Sequence, residues 1–172
     1  MGILDSLLAL PAVSRVRRNH GVEHATLNIL AEQFPRAHLG GHSDVGGFWV
    51  IGDVPTQAVA DAVGLALERM RAGEHGLAIH PNCGTNFVTA GAAAGLVAWL
   101  VMLPGGKSIR QKVERLPMVI SLATLAIIVA QPLGLLLQAR VTTSGLPGDL
   151  AVTQIIAGQQ GRLLTHRVMT QG

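Results

Sequence analysis

"HPNCGTNFVTAGAAAGLVAWLVML", His80 to Leu103, changes character within a few residues. Its first part is polar and turn-prone and contains an imidazole and the chain's single thiol, Cys83. From Phe87 to Leu103 there is no charge, at the short end of the roughly 20 residues a spanning helix needs. A second run, "MVISLATLAIIVAQPLGLLL" from Met118 to Leu137, is also uncharged, and Pro132 within it predicts a kink. Between the two lies a compact loop, Pro104 to Pro117, carrying Lys107, Arg110, Lys112 and Arg115 against Glu114. A buried helix of a soluble protein would be equally apolar. Two such runs flanking a basic loop instead favour insertion into a bilayer. Gly91 and Gly95 form a GxxxG spacing that predicts a close helix contact, within the chain, with a second copy or with another membrane protein.

Composition agrees. The 172 residues are 49% hydrophobic and 13% charged, against roughly 25% charge in ordinary soluble domains. A net charge of +3, with no basic run interleaved with aromatics, gives no support to nucleic-acid binding. One cysteine excludes an intramolecular disulfide and suits a reducing compartment or a metal site. The opening "MGILDSLLALPAVSRVRR" is a poor signal peptide, because its basic cluster follows a short apolar segment broken by Pro11. Residues 1–11 read instead as an amphipathic segment on the membrane surface, with Leu4, Leu7, Leu8 and Leu10 inward.

Upstream of the first span, residues 12–34 have helical spacing. Val13, Val16, His20, Glu23, His24, Leu27, Leu30, Ala31 and Phe34 share one stripe, and Pro35 ends it. "AHLGGHSDVGGFWVIGDV" reads as a β-hairpin or two short strands. "PTQAVADAVGLALERMRAG" is a second helix, with Pro55 at its start and Gly73 just past its end. Beyond "QARVTTSGLPGD", residues 150–171 have poor periodicity and read as a terminal helix or a mixed segment.

The chemistry gathers on the first helix. His20, Glu23 and His24 stand at i, i+3 and i+4 and converge on one small volume. Polar groups left unpaired under an apolar stripe cost several kcal/mol each, about 1–3 or more, so something satisfies them. A divalent metal does so: two imidazoles four residues apart reach one ion, and the carboxylate ligates it or takes a proton from bound water. His-x-x-Glu-His is also the inverted zinc motif of a metallopeptidase class; a pair of hydrogen-bonded core histidines is the bland reading. In the loop, His75, His80 and Cys83 lie close in sequence, and the His80-x-x-Cys83 spacing lets one turn offer imidazole and thiolate together. His42 and Asp44 in "GGHSDVGG" are second-tier, Asp44 as a group that orients a ligand histidine, although a glycine-rich turn explains that stretch as well.

"NHGVEHATLNIL", "HPNCGTNF" running into an apolar span, and "LQARVTT" after the second span resemble a bacterial membrane family. It is the one known as domain of unknown function 1385, with HG-x-EH and HP-x-CGT-[ST]-F-like motifs. The related domain of unknown function 6391 is closer, through "GGHSDVGGFWVIGDV". The likeness runs from Arg17 to about Gly158. It implies a metal-dependent enzyme without an assigned reaction, with His20, Glu23, His24, His75, His80 and Cys83 in one site. "HGLAIHPNC" spaces its first two histidines one residue wider than the family pattern, and the larger family's N-terminal region is missing.

The expected architecture is α+β: a small mixed head, residues 12–85, on a two-helix transmembrane hairpin, residues 86–138, with residues 139–172 packing back on the head. The expected function is a membrane-bound zinc-dependent hydrolase, peptidase-like, with Glu23 as general base and His20, His24, His80, Cys83 and His75 as the ligand candidates. The rival is a non-catalytic scaffold, whose metal pins helix to loop and whose spans pack on a partner. Haem is disfavoured, since there is no CxxCH. The positive-inside rule places the basic loop in the cytoplasm. The missing translocation signal and the lone thiol argue the reverse. Weighed together, they predict a bacterial inner-membrane protein with a cytoplasmic head.

Overall fold

The helical spacing of residues 12–34 is realised as helix α2 (Pro11–Gln33) in the computed structural model, which describes residues 2–104, 108–161 and 163–172. Pro11 occupies the first turn, where a missing N–H costs nothing, and the Phe34 amide closes the far end on the Leu30 carbonyl at 2.7 Å. The single stripe read from the sequence is too narrow. Asn19, Gly21 and Thr26, which lie off it, are buried as well, whereas Val13 and Ala31, which lie on it, are exposed. The centre of α2 is enclosed on several sides, and its polar residues are enclosed with it.

The described residues form six α-helices and four strands, a mixed α+β arrangement. They fall into two units, residues 1–80 with 139–172 and residues 81–138. In the first unit, β1 (Gly40–Asp44) and β2 (Gly47–Ile51) make the hairpin expected from the glycine-punctuated stretch. Helix α3 (Thr56–Arg71) follows, and Gly73, at φ +107°, turns the chain beyond its end. The last segment is a correction. Residues 150–171 are not helical but form β3 (Ala151–Gln160) and β4 (Leu163–Gln171). The resulting antiparallel sheet has the order β1-β2-β4-β3. On β4 the inward positions are His166, Val168 and Thr170, so two of three are polar and the period of two is hidden from a hydropathy reading.

Helices α2 and α3 cover one face of the sheet. Val22 and Leu30 from α2, Phe48 and Val50 from β2, Val59, Val63 and Met70 from α3, and Val168 from β4 share that core. Each such side chain contributes about 1.5–3 kcal/mol by leaving water. The segment after the second apolar run returns to α2 at Gly21. The Ser144 amide donates to the Arg17 carbonyl at 2.9 Å, and a Cβ on Gly21 would lie 2.1 Å from the Ser144 oxygen.

His166 reaches Thr56 Oγ1 at 3.2 Å and is 1% exposed. Burial lowers its pKa below the ordinary value, opposed by the Val50 backbone. The unfolded chain therefore binds this proton more readily than the fold does. Its stability contribution is complete above the unfolded pKa of about 6.5 and is lost as the pH falls from there through the lowered folded value. Denaturant midpoints are expected to drop on acidification below about pH 6.5, and His166→Gln is expected to flatten that slope. An equal slope in both proteins would count against this account.

Helix α1 (Ile3–Leu8) buries no residue, and Ile3 is 85% exposed. In the second unit, α4 (Gly84–Met102) and α6 (Leu116–Leu137) are long and apolar enough to cross a membrane. They pack on each other, while α4 buries no residue and α6 only Ala130 and Gly134. A Cβ on Gly134 would come within 3.0 Å of Asn86 Cα, so the two helices approach closely at this glycine. Around Gly91 and Gly95 a Cβ would meet nothing within 4 Å, so the α4–α6 contact does not use the GxxxG stripe. Between the helices lies α5 (Ile109–Glu114), where Arg110 pairs with Glu114 at 3.0 Å. Arg115 donates to the Val101 carbonyl at 2.9 Å and the Pro104 carbonyl at 3.2 Å, placing a cation at the negative end of α4. Lys107, the remaining cation of that loop, lies outside the described residues.

Candidate metal centre

One turn of α2 sets His20 and His24 side by side. Their ring centroids are 4.3 Å apart, and a nitrogen of one ring lies within 4.8 Å of a nitrogen of the other. His80 joins them, its ring centroid 5.6 Å from that of His24. Three of the histidines read from the sequence thus gather within the first unit.

The backbone sets the chemistry of the two α2 rings. His20 Nδ1 stands 2.9 Å from the Thr142 carbonyl oxygen, and His24 Nδ1 stands 2.8 Å from that of Ala78. A carbonyl can only accept, so each Nδ1 carries the proton and donates it. In the neutral form of either ring, this leaves the basic lone pair on Nε2. Metal-ligating histidines are oriented in this way, with the other nitrogen donating to a carbonyl or carboxylate. Each carbonyl comes from a segment distant in sequence: Ala78 from a 3-10 turn (His75–Ala78), Thr142 from the return after α6. Asn28, one turn beyond His24, secures the loop leading to His80 by donating to the carbonyls of Leu77 at 3.1 Å and Ile79 at 3.2 Å.

Glu23 is 2% exposed, and its Oε2 accepts the Ser43 hydroxyl of β1. This hydroxyl donor fixes the carboxylate's orientation. The β1 strand approaches Glu23 closely at Gly41, where a Cβ would lie 2.7 Å from Glu23 Oε1 and 2.4 Å from the Trp49 carbonyl. Sequence reasoning found no partner for Glu23 and passed over Ser43. Its only signal was a hydroxyl in "GGHSD", and which side of β1 faces α2 depends on the strand register.

Two further histidine candidates, His75 and His42, have partners of their own. His75 is exposed, with Nδ1 donating to the Gly145 carbonyl at 2.8 Å. Cys83 belongs to the second unit, where it is buried at the N-cap of α4. His42 stacks on Trp49 with centroids 6.2 Å apart, on the sheet face opposite the helices. Asp44 does not orient a histidine. It pairs with Arg167 at 2.7 Å and accepts from the Gly46 amide at 2.7 Å. The Arg167 guanidinium holds its carboxyl below the usual value against a smaller effect of burial.

A buried and a half-buried imidazole with backbone-anchored Nδ1 atoms, and a buried carboxylate on the same helix turn, are a donor set that fits a divalent transition metal. The class thus defined is an α+β protein with a histidine cluster on one helix and two helices able to cross a membrane. Residues 15–155 match the family described as Domain of unknown function (DUF6391), and the chain belongs to that family. It is also 36% identical over 166 residues to an uncharacterised protein of Picosynechococcus sp., covering 88% of this chain and 77% of the relative. No solved structure matches it.

Proposed function

We propose that this protein is a membrane-anchored metalloprotein, a zinc-dependent hydrolase whose metal is held by His20, His24 and His80, with Cys83 as the fourth candidate. The observation carrying this reading is the pair of Nδ1 donors on Thr142 and Ala78, which presents two Nε2 lone pairs from one helix turn. Cys83 is separated from His80 only by Pro81 and Asn82, so its Cα is tethered within about 11 Å of that of His80. Mixed nitrogen and sulfur donors select zinc over calcium or magnesium. Affinity to the larger family, domain of unknown function 1385, belongs to the same proposal.

A bound ion of this kind supplies Lewis acidity, polarising a carbonyl and making water acidic near neutral pH. Glu23 would take up the proton, and the Ser43 hydroxyl orients its carboxylate. The second reading, a structural metal in a non-catalytic scaffold, is favoured by the number of donors: three histidines and a cysteine close a tetrahedron and leave no open position. Glu23→Gln tests both. It is expected to keep the metal and the fold while abolishing hydrolysis, because the amide keeps the shape but cannot accept the proton. Four protein ligands at the ion in X-ray absorption, with unchanged behaviour of Glu23→Gln, would establish the scaffold reading instead.

The membrane part rests on α4 and α6, whose apolar surfaces stay almost wholly uncovered, and on the half-exposed leucines of the α1 segment, Leu4, Leu7 and Leu10. Water would disfavour such surfaces by about 25 cal/mol per Å², whereas lipid would not. In this reading α4 and α6 form a transmembrane hairpin, α1 lies in the interface, and the Gly91/Gly95 stripe packs on a second copy or another membrane protein. The first unit faces the cytoplasm of a bacterial inner membrane. A cysteine at Ser108 in a Cys83→Ser background is therefore expected to react with an impermeant thiol reagent on intact cells. Protection of residue 108, with labelling of Ser6→Cys, would invert the orientation.

A further inference from the structure

Strand β1 is an edge of the sheet, with β2 on one side and no strand among the described residues on the other. The hydrogen-bonding direction of each of its residues follows from the neighbouring ladder. The Gly52 amide donates to the Leu164 carbonyl and the Thr170 amide to the Gly46 carbonyl. The even-numbered positions of β2 therefore point their backbone groups at β4, and the odd-numbered Gly47, Trp49 and Ile51 point theirs at β1. Their partners are Asp44, His42 and Gly40. Gly41 and Ser43 are the alternate residues, so their N–H and C=O groups face outward from the sheet.

Natural edge strands are usually blunted by lysines, prolines, bulges or a covering segment. Residues 40–43, "GGHS", have none of these in sequence, and the β1–β2 register runs without a bulge. Gly41 and His42 are exposed, and a Cβ on Gly40 would meet nothing within 4 Å. This edge also borders the candidate site. Ser43 donates its hydroxyl to Glu23 while its backbone faces outward, so one residue links the open edge to the general base. A donor and an acceptor repeating at two-residue intervals complement one ligand class above others, another extended backbone.

We infer that the outer edge of β1 takes up an extended polypeptide segment by strand addition, with Gly41 and Ser43 as its pairing residues. The segment lies about 4.8 Å from β1, alongside the strand that holds Glu23. The inference rests on the metallohydrolase reading of the same site and gives it a polypeptide substrate.

The test uses the full-length Glu23→Gln protein, loaded with zinc in detergent micelles, so that binding proceeds without turnover. The probe is an acetylated and amidated hexapeptide of alternating threonine and valine; the control is the same peptide N-methylated at every residue. Amide hydrogen exchange is followed with the peptide at millimolar concentration. Exchange at Gly41 and Ser43 is expected to slow roughly tenfold with the probe, and to stay unchanged with the methylated control. Unchanged exchange at both amides in a zinc-loaded protein overturns the inference and leaves the metal reading standing. So does equal binding of the two peptides, which would point to side-chain recognition. Slowing that depends on protein concentration without peptide would make a second copy the occupant and overturn it too. Failure of the protein to hold zinc, with the amides still slowed, would instead sink the metal reading alone.

Discussion

His24→Ala is expected to reduce bound metal from about one equivalent to near zero and to lower stability by about 3–5 kcal/mol. The imidazole is 2% exposed and reaches the Ala78 carbonyl at 2.8 Å. Alanine leaves that buried acceptor unpaired, which alone costs about 1–3 kcal/mol, and adds a cavity on the core side of α2. For a chain of this size, each kcal/mol lost lowers the melting temperature by about 2–4 °C, so the total shift is on the order of 10 °C. His38→Ala, which truncates an exposed imidazole, is expected to leave both metal and melting temperature unchanged. Treating the unsubstituted protein with a chelator separates the two contributions. If the chelator does not move its melting temperature, no metal supports the fold, and full metal content in His24→Ala would remove His24 from the ligand set.

The other large effect is at Gly21. Within a helix, glycine to alanine ordinarily stabilises by up to about 1 kcal/mol, and Gly64 of α3, exposed and with open space around its Cβ position, is expected to follow that rule. Gly21→Ala is expected to do the opposite and cost about 3 kcal/mol or more. The added methyl would lie 2.1 Å from the Ser144 oxygen, and backbone stands on both sides of the clash. Relief requires the returning segment to leave α2, breaking the bond from the Ser144 amide to the Arg17 carbonyl. Two residues upstream, Thr142 supplies the carbonyl that orients His20, so the same displacement is expected to weaken metal binding. Urea denaturation of Gly21→Ala beside Gly64→Ala measures the contrast. Equal, small and stabilising changes at both would show that the close approach does not exist.

Local sequence carried the helices well. Helix α2 has a proline at each boundary, α3 lies between Pro55 and Gly73, and the two apolar runs emerge as α4 and α6. These signals are legible because helix boundaries and helical faces are set within a few residues of chain. The candidate site was legible to the same extent: i to i+4 spacing brings His20 and His24 together whatever surrounds them. The C-terminal hairpin was not, because His166 and Thr170 occupy inward positions of β4 that a hydropathy pattern reads as outward.

What tertiary structure alone decided is the state and orientation of the candidate groups. His20 and His24 owe their Nδ1 partners to residues 122 and 54 positions away, and Glu23 owes its hydroxyl to a strand 20 positions on. A backbone carbonyl is present at every residue, so no residue type marks which one will face an imidazole. Likewise, "GGHSD" does not state that Ser43 turns toward Glu23 and His42 toward Trp49, since a one-residue slip in register would exchange the two faces. The sequence by itself determined which side chains could meet on α2. Long-range packing decided which nitrogen of each ring holds the proton and what holds the carboxylate, because those choices depend on segments that approach only when the sheet closes over the helix.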